Sequence, residues 1–200
     1  MNTPIDLLGL FSTTPLELIS FVLSVMTVVL NIRQLHWAWL FAIVSSATYA
    51  MVFFDARLYG DMALQGVFIA VSIWGWYQWL HGGASRAPLA VSRCSTKGLI
   101  YSAIGWAVGF VILAVFLGRF TDTDVPNIDG FLTAGSLLGT ALLSRKKVEN
   151  WTVWIIVDIL YVGLYVYKGL MLTAVLYALF VVLAGIGLLA WQRDARRTTA

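Results

Sequence analysis

Seven apolar runs separated by short polar segments organise the chain. They cover residues 16–32, 37–54, 62–80, 98–117, 128–143, 151–167 and 170–191. A membrane-spanning helix needs about 20 mostly apolar residues, with roughly 17–25 as the usual range. The sixth run alone carries a charge in its interior, at Asp158. Because strand-like alternation is absent from these runs, the pattern predicts seven transmembrane helices in an all-α integral membrane protein.

The same pattern occurs twice along the chain. Residues 21–79 align without a gap on residues 133–191, at a constant offset of 112 residues, with 11 identities in 59 positions. Charged residues frame both copies alike, since Glu17 and Arg33 bracket fifteen uncharged residues, as do Asp129 and Arg145. A repeat of this length and framing indicates a duplicated membrane unit.

The loop at residues 81–97, rich in Gly, Ser, Ala, Pro and Arg, is the best boundary between the copies. Three helices reverse the direction of the chain, so one extra helix is needed for the second copy to run parallel to the first. The predicted units are a first three-helix repeat at 16–80, a cytoplasmic loop, linker helix (98–117) and outer loop within 81–127, a second repeat at 128–192, and a cytoplasmic tail at 193–200. Transporters use such 3+1+3 parallel repeats, with the binding site at the repeat interface near the midplane. The alternative is a duplication that only stabilises a helix bundle.

Composition agrees with a membrane protein. The chain is 60% hydrophobic and 12% charged, with a mean hydropathy of +0.85, which excludes an ordinary soluble domain. Ten of the thirteen lysines and arginines fall on one side of the seven spans, and this places the N-terminus outside and the C-terminus in the cytoplasm. The excess of basic residues therefore reflects orientation, and no nucleic acid partner is needed to explain it. Cys94 is the only cysteine, so no internal disulfide is possible, and it is predicted to be an ordinary thiol.

The sixth run carries the sharpest side-chain pattern. Steps of three and four residues place one set on a single helix face: Trp151, Trp154, Asp158, Tyr161, Tyr165 and Lys168. A carboxylate inside a span is costly and is a functional hypothesis by default. A hydrogen-bonded structural Asp with aromatic belts at the two ends is the alternative.

The first copy keeps aromatic residues at three of the four aromatic positions of this stripe and lacks its charge. The corresponding positions are Trp39, Ala42, Ser46, Tyr49, Phe53 and Ala56. A cavity with a single acidic wall suits a flat or cationic ligand, because Trp and Tyr faces attract cations.

The third run presents a second polar face. Its members at helical spacing are Gln65, Phe68, Ser72, Trp76 and Trp79, and Tyr177 occupies the position of Gln65 in the second copy. A hydrogen bond between helices is the alternative role for Gln65. The two faces and the start of the sixth run supply the predicted substrate-binding residues: Trp39, Gln65, Ser72, Trp76, Asn150, Trp154, Asp158, Tyr161 and Tyr177.

Signatures of an enzyme are missing from the sequence. His36 and His81 are isolated, so no metal cluster is predicted, and no phosphate-binding glycine loop is present. Asp158 has no second carboxylate within the spans to act as its partner in an aspartyl protease. The sequence therefore predicts neither an enzyme nor a bound cofactor or metal.

Motifs in four places resemble the bacterial PnuC family of vitamin transporters, and the resemblance covers nearly the whole chain. They are Leu58 with Tyr59, Gln65, the cluster of Gly75, Trp76, Tyr77 and Trp79, and the run at 145–151 followed by Trp154. Within that run, Val148, Glu149, Asn150 and Trp151 are the most specific. The sequence departs from relatives at Asp158, where an amide is expected, and its spans lack the prolines at which SWEET relatives hinge.

The resemblance implies a plan similar to that of SWEET sugar transporters, a homotrimer in the membrane lipid, and a place in the bacterial inner membrane. It further implies passive uptake of nicotinamide riboside by facilitated diffusion, followed by trapping through a cytoplasmic nucleoside kinase. Rocking of the two three-helix units would alternate access. Thiamine or another nucleoside or vitamin is an alternative substrate, and a heptahelical sensor that binds a ligand without moving it is an alternative function.

Overall fold

A computed structural model describes residues 5–7, 11–13, 15–55, 59–169 and 171–199, with side chains described from residue 21 to residue 197 apart from 49, 52–64 and 170. The described residues form seven α-helices: α1 Pro15–Ile32, α2 Trp37–Asp55, α3 Tyr59–His81, α4 Thr96–Phe120, α5 Pro126–Ser144, α6 Asn150–Tyr167 and α7 Met171–Thr199. The seven predicted helices are confirmed, and apart from the end of α7 their limits agree within three residues. Leu58 and the side chains of Tyr49, Phe53 and Tyr59 lie outside the described residues.

Two features differ from the prediction. Strands β1 Ile5–Leu7 and β2 Phe11–Thr13 form a short antiparallel hairpin before α1, in keeping with the strand preference of Ile, Phe and Thr. Helix α7 continues through most of the predicted tail to Thr199. Ala and Arg favour helix, and Arg196 and Arg197 in the last turn interact favourably with the negative end of the helix dipole.

Three of the described helices are long and apolar enough to cross a membrane, namely Thr96–Phe120, Asn150–Tyr167 and Met171–Arg197. Shorter apolar helices cover Phe21–Ile32 and Trp37–Thr48. On α4 many large apolar side chains remain exposed, including Ile112 at 62% and Phe120 at 73%. Such a surface is stable against lipid, where apolar exposure has no cost.

The chain divides into two compact units, residues 1–90 and 91–200. In the first unit α2 packs against both α1 and α3. In the second unit the packing order is α4 on α5, α5 on α6 and α6 on α7. The helix predicted as a linker, α4, therefore packs closely on α5.

The contact between α4 and α5 is close at both a glycine and an indole. A Cβ on Gly130 would lie 2.6 Å from the backbone nitrogen of Ala114, so only glycine allows this approach. The Trp106 Nε1–H donates a hydrogen bond of 3.0 Å to the Phe131 carbonyl, and the two rings lie 4.9 Å apart. The core of the second unit lies beside this contact and includes the fully buried Leu132 and Val157.

The turns α1–α2 and α5–α6 have the same backbone geometry at an offset of 112 residues. Gln34 and Lys146 both adopt positive φ, at 57° and 48°. The amide of each bonds three residues back, and the amide of the next residue bonds five residues back, at 2.9–3.0 Å. These bonds define a Schellman C-cap, which satisfies the last carbonyls of α1 and α5. The repeat seen in the sequence therefore extends to the turn conformation.

Candidate functional site

Asp158 lies in the middle of α6 and is 4% exposed. The phenols of Tyr161 and Tyr177 lie near its carboxylate. A charge is expensive to bury, so a carboxylate in this setting suits a cationic partner.

Three tyrosines pack together, and the first of them lies about one helical turn after Asp158. Tyr161 and Tyr165 of α6 stack at 5.6 Å with an interplanar angle of 16°. Tyr177 of α7 lies 4.8 Å from the first ring and 5.0 Å from the second. We call Tyr161, Tyr165 and Tyr177 the tyrosine cluster. It presents aromatic faces and hydroxyl groups beside a buried carboxylate, which is a suitable chemistry for a flat cation.

Helix α5 packs on α6 beside this region. Ser136 lies next to the Tyr161 hydroxyl. The Trp154 indole lies over Gly139, where an added Cβ would come within 2.9 Å of the ring. Trp154 therefore belongs to the face of α6 that packs on α5, one turn before Asp158.

Asn150 begins α6 and is completely buried. Its amide nitrogen donates to the Lys147 carbonyl at 2.6 Å, whereas its Oδ1 has no hydrogen-bond partner among the described residues. The preceding residue, Glu149, accepts a hydrogen bond from the Cys94 backbone at 2.9 Å. In the PnuC-like run, the Asn150 side chain therefore has an oxygen with no partner among the described residues, whereas the Glu149 carboxylate has one in the Cys94 amide.

The predicted residues of the first unit lie on α2 and α3. The Trp39 ring is 3% exposed, packs over Gly75 and meets Trp79 edge-on at 5.5 Å. Trp76 lies near the α1–α2 turn and stacks on His36 at 6.4 Å. Ser72 is buried and Gln65 is half-buried.

The second unit contains the same indole packing at an offset of 112 residues. Trp151 lies over Gly187 and meets Trp191 edge-on at 5.4 Å, with an interplanar angle of 89° against 87° in the first unit. The indole nitrogens of Trp39 and Trp151 are both buried, with no hydrogen-bond partner among the described residues. These Trp, Gly and Trp sets join the second and third helices of each copy.

The structure brings together Asp158, Tyr161 and Tyr177 among the predicted residues, and places Trp154 and Asn150 on the same helix. Trp39, Gln65, Ser72 and Trp76 belong to the first unit. The residues predicted to bind substrate did not include Tyr165, a member of the tyrosine cluster, or Ser136, its neighbour. Tyr165 stood in the α6 stripe, so helical spacing was a sufficient signal for it, whereas Ser136 lies on another helix.

Comparisons with known proteins bear on the whole chain. A family model described as nicotinamide mononucleotide transporter matches residues 14–193. The riboflavin/roseoflavin transporter RibM of Streptomyces davaonensis is 27% identical over 186 residues, which cover 90% of this chain and 86% of RibM. The nicotinamide riboside transporter PnuC of Escherichia coli is 24% identical over 181 residues, covering 78% of this chain and 76% of PnuC.

A solved structure shares the fold. A crystal structure of the vitamin B3 transporter PnuC superposes with a TM-score of 0.69 at 21% identity, over 90% of this chain and 81% of that one. The similarity spans both units. The resemblance predicted from the sequence motifs is confirmed.

Proposed function

Because the chain belongs to the nicotinamide mononucleotide transporter family, we propose that it carries nicotinamide riboside across the inner membrane into the cytoplasm. The family consists of membrane transporters, so this protein is a transporter and not an enzyme. The observation that carries the choice of substrate is Asp158, a buried carboxylate beside the tyrosine cluster. Nicotinamide riboside has a flat pyridinium ring with one positive charge, which matches an anionic and aromatic site.

The remaining groups suit the other parts of this substrate. The hydroxyls of the tyrosine cluster and the Asn150 amide provide donors and acceptors for a carboxamide and a ribose. In the first unit, Gln65 and Ser72 offer similar groups, while Trp39 and Trp76 offer aromatic faces. All nine residues predicted from the sequence therefore stay in the proposal.

We propose passive transport, in which the gradient of the substrate drives uptake and phosphorylation by a cytoplasmic nucleoside kinase traps the product. The proposal includes a 3+1+3 SWEET-like plan, supported by the matched turns and the matched Trp, Gly and Trp packing of the two copies. It also includes a homotrimer, as the resemblance implies. The distribution of basic residues supports an external N-terminus and a cytoplasmic C-terminus.

Uptake by purified protein in liposomes tests this function. We expect saturable uptake of labelled nicotinamide riboside with no need for an ion gradient. Replacing Asp158 with Asn keeps the shape and removes the charge, so we expect the affinity for the cation to fall about tenfold or more, since close charge pairs contribute about 1.5–7 kcal/mol to binding. Asp124→Asn is the control, because its carboxylate is 67% exposed and pairs with Lys168. Equal affinities in the wild type and the Asp158 variant would remove Asp158 from the site.

Riboflavin transport is the second candidate, and the RibM relative favours it because the match covers most of both proteins. The isoalloxazine ring of riboflavin is flat and uncharged, so its binding has no requirement for the Asp158 charge. A competition panel of nicotinamide riboside, thiamine and riboflavin, applied to the wild type and to Asp158→Asn, separates the candidates. Loss of binding for the two cations alone supports a cation site, and tight binding without uptake supports a sensor.

A further inference from the structure

The segment that leads into α4 is held on the α5–α6 turn. The Ser92 amide donates to the Lys146 carbonyl at 3.0 Å, and the Val148 amide donates to the Ser92 carbonyl at 3.0 Å. Together these bonds form an isolated parallel bridge between Ser92 and Lys147. The loop between α3 and α4 is thereby fixed to a turn some 55 residues further along the chain.

Side chains strengthen this attachment at both ends. Lys147 Nζ donates to Ser92 Oγ at 2.8 Å, and Glu149 Oε2 accepts from the Cys94 amide at 2.9 Å. The Cys94 side chain packs on the core of the second unit. Ser95 then caps α4 by accepting from the Gly98 amide at 3.1 Å. We call the contacts of residues 92–94 with residues 146–149 the loop clamp.

The equivalent turn of the first copy has no residue that can play the part of Glu149. Its position holds Trp37, and the position of Val148 holds His36. These two rings lie 5.1 Å apart, and both lie near Trp76. Since both turns keep the same Schellman geometry, Glu149 is not required to form the turn itself. Its carboxylate serves a purpose found only in the second copy.

Glu149 directly precedes Asn150, so the loop clamp includes residues close to the Asn150 side chain. The same Lys147 whose side chain holds Ser92 provides the carbonyl that accepts from Asn150 Nδ2 at 2.6 Å. The Oδ1 of Asn150 is then left as a buried acceptor with no partner among the described residues. Movement of the turn would change where this acceptor lies.

We infer that Glu149 is a positioning residue, which binds the Cys94 amide and thereby fixes the α5–α6 turn so that the Asn150 amide is held ready for substrate. The part of this inference that concerns substrate rests on the proposed function. The part that concerns the clamp is independent of it, because attachment of the loop can be measured without any substrate.

Cys94 reports directly on the clamp. It is the only cysteine of the chain, so a thiol reagent labels a single position. Burial, and then the neighbouring Glu149 carboxylate, raise the pKa of the Cys94 thiol to about 11. Because the thiolate is the reactive form, alkylation of the clamped protein is slow near neutral pH and rises about tenfold per pH unit up to roughly pH 10. A detached loop exposes a thiol with an ordinary pKa of about 8.5, which reacts faster and whose rate levels off above that pH.

The experiment measures iodoacetamide labelling and nicotinamide riboside affinity on the full chain in detergent. In Glu149→Ala the loss of a charge-assisted hydrogen bond should raise the labelling rate about tenfold to a hundredfold. Glu149→Gln keeps an oxygen acceptor for the Cys94 amide but lacks the charge that raises the pKa of the thiol, so its rate should rise above the wild type and stay well below that of Glu149→Ala. Asp124→Ala, which removes an exposed carboxylate from the same unit, should leave the rate unchanged.

A double-mutant cycle tests the action through Asn150. If Glu149 positions that amide, Glu149→Ala weakens substrate binding in the wild type and adds little in an Asn150→Ala background. Rescue of affinity by Glu149→Gln also supports the inference. Unchanged labelling in a folded Glu149→Ala protein overturns the clamp, and additive effects in the cycle overturn the link to Asn150. If the wild type binds none of the vitamins, the proposed function fails while the labelling result still decides the clamp.

Discussion

Two indole rings, Trp39 and Trp151, lie where a glycine of the next helix leaves room for them. An added Cβ would come within 2.6 Å of the ring in both cases, at Gly75 in the first unit and Gly187 in the second. Both rings are 3% exposed, so neither can move aside without disturbing the packing around it. These glycines are therefore needed for space and not for an unusual backbone angle.

The second unit offers a matched pair of glycines on one helix. We expect Gly187→Ala to destabilise the protein by about 1–3 kcal/mol, because the new methyl overlaps the buried Trp151 ring. Gly185→Ala meets nothing within 4 Å and should be neutral or slightly stabilising, since alanine favours helix by up to about 1 kcal/mol over glycine. Thermal unfolding in detergent measures both. A Gly187→Ala protein as stable as Gly185→Ala would contradict the packing.

At the scale of a residue, much of the candidate site followed from the sequence. Asp158, Tyr161 and Tyr165 share a helix face, and helical spacing alone places them together. Tyr177 comes from the other helix of the pair, and the 112-residue offset from Gln65 drew attention to it. The hydrogen bond between Cys94 and Glu149 joins residues 55 positions apart. Its donor is the backbone amide of Cys94, so the pattern of side chains in the sequence does not predict it.

At the scale of an element, the apolar runs were enough to identify all seven helices, because each run has the length and period of a helix. The ends were less certain, as the extension of α7 to Thr199 illustrates. The two positive-φ caps were not predicted, since neither Gln34 nor Lys146 is a residue that usually adopts this conformation. In these two turns the surrounding contacts determine the backbone conformation and outweigh the intrinsic φ preference of Gln34 and Lys146.

The contact of α4 with α5 includes one side-chain hydrogen bond in addition to its apolar packing. Replacing Trp106 with Phe removes the bond to the Phe131 carbonyl and keeps an aromatic ring. We expect a loss of about 0.5–1.5 kcal/mol, at the lower end if the carbonyl stays bonded within α5. Trp106→Ala also leaves a cavity beside Gly135 and should cost more.

Thermal unfolding compares these variants with Tyr101→Phe as the control. Tyr101 lies on the same helix and is 71% exposed, so removal of its hydroxyl should have no measurable effect. If Trp106→Phe and Tyr101→Phe are equally stable, the indole bond makes no net contribution, and packing alone joins α4 to α5.

At the scale of the whole molecule, the chain consists of two units with different numbers of helices. The first contains α1 to α3, whereas the second contains α4 to α7, the loop clamp and the tyrosine cluster. From the sequence, α4 was assigned to the connection between the repeats, because it lies outside both copies of the 112-residue repeat. Two contacts show why α4 packs with the second copy: Trp106 of α4 bonds to Phe131 of α5, and Gly130 of α5 approaches the backbone of Ala114 on α4.

The contacts described above for Cys94 lie within the second unit, so residues 91–200 should retain them when expressed alone in a membrane. We expect the labelling rate of Cys94 in this fragment to stay within about threefold of the rate in the full chain, since the clamp and the core beneath it are complete. Introducing Glu149→Ala into the fragment should raise the rate as it does in the full chain. Rapid labelling of the unmodified fragment would mean that the first unit is needed to hold the clamp closed, and the second unit would then not be an independent folding unit.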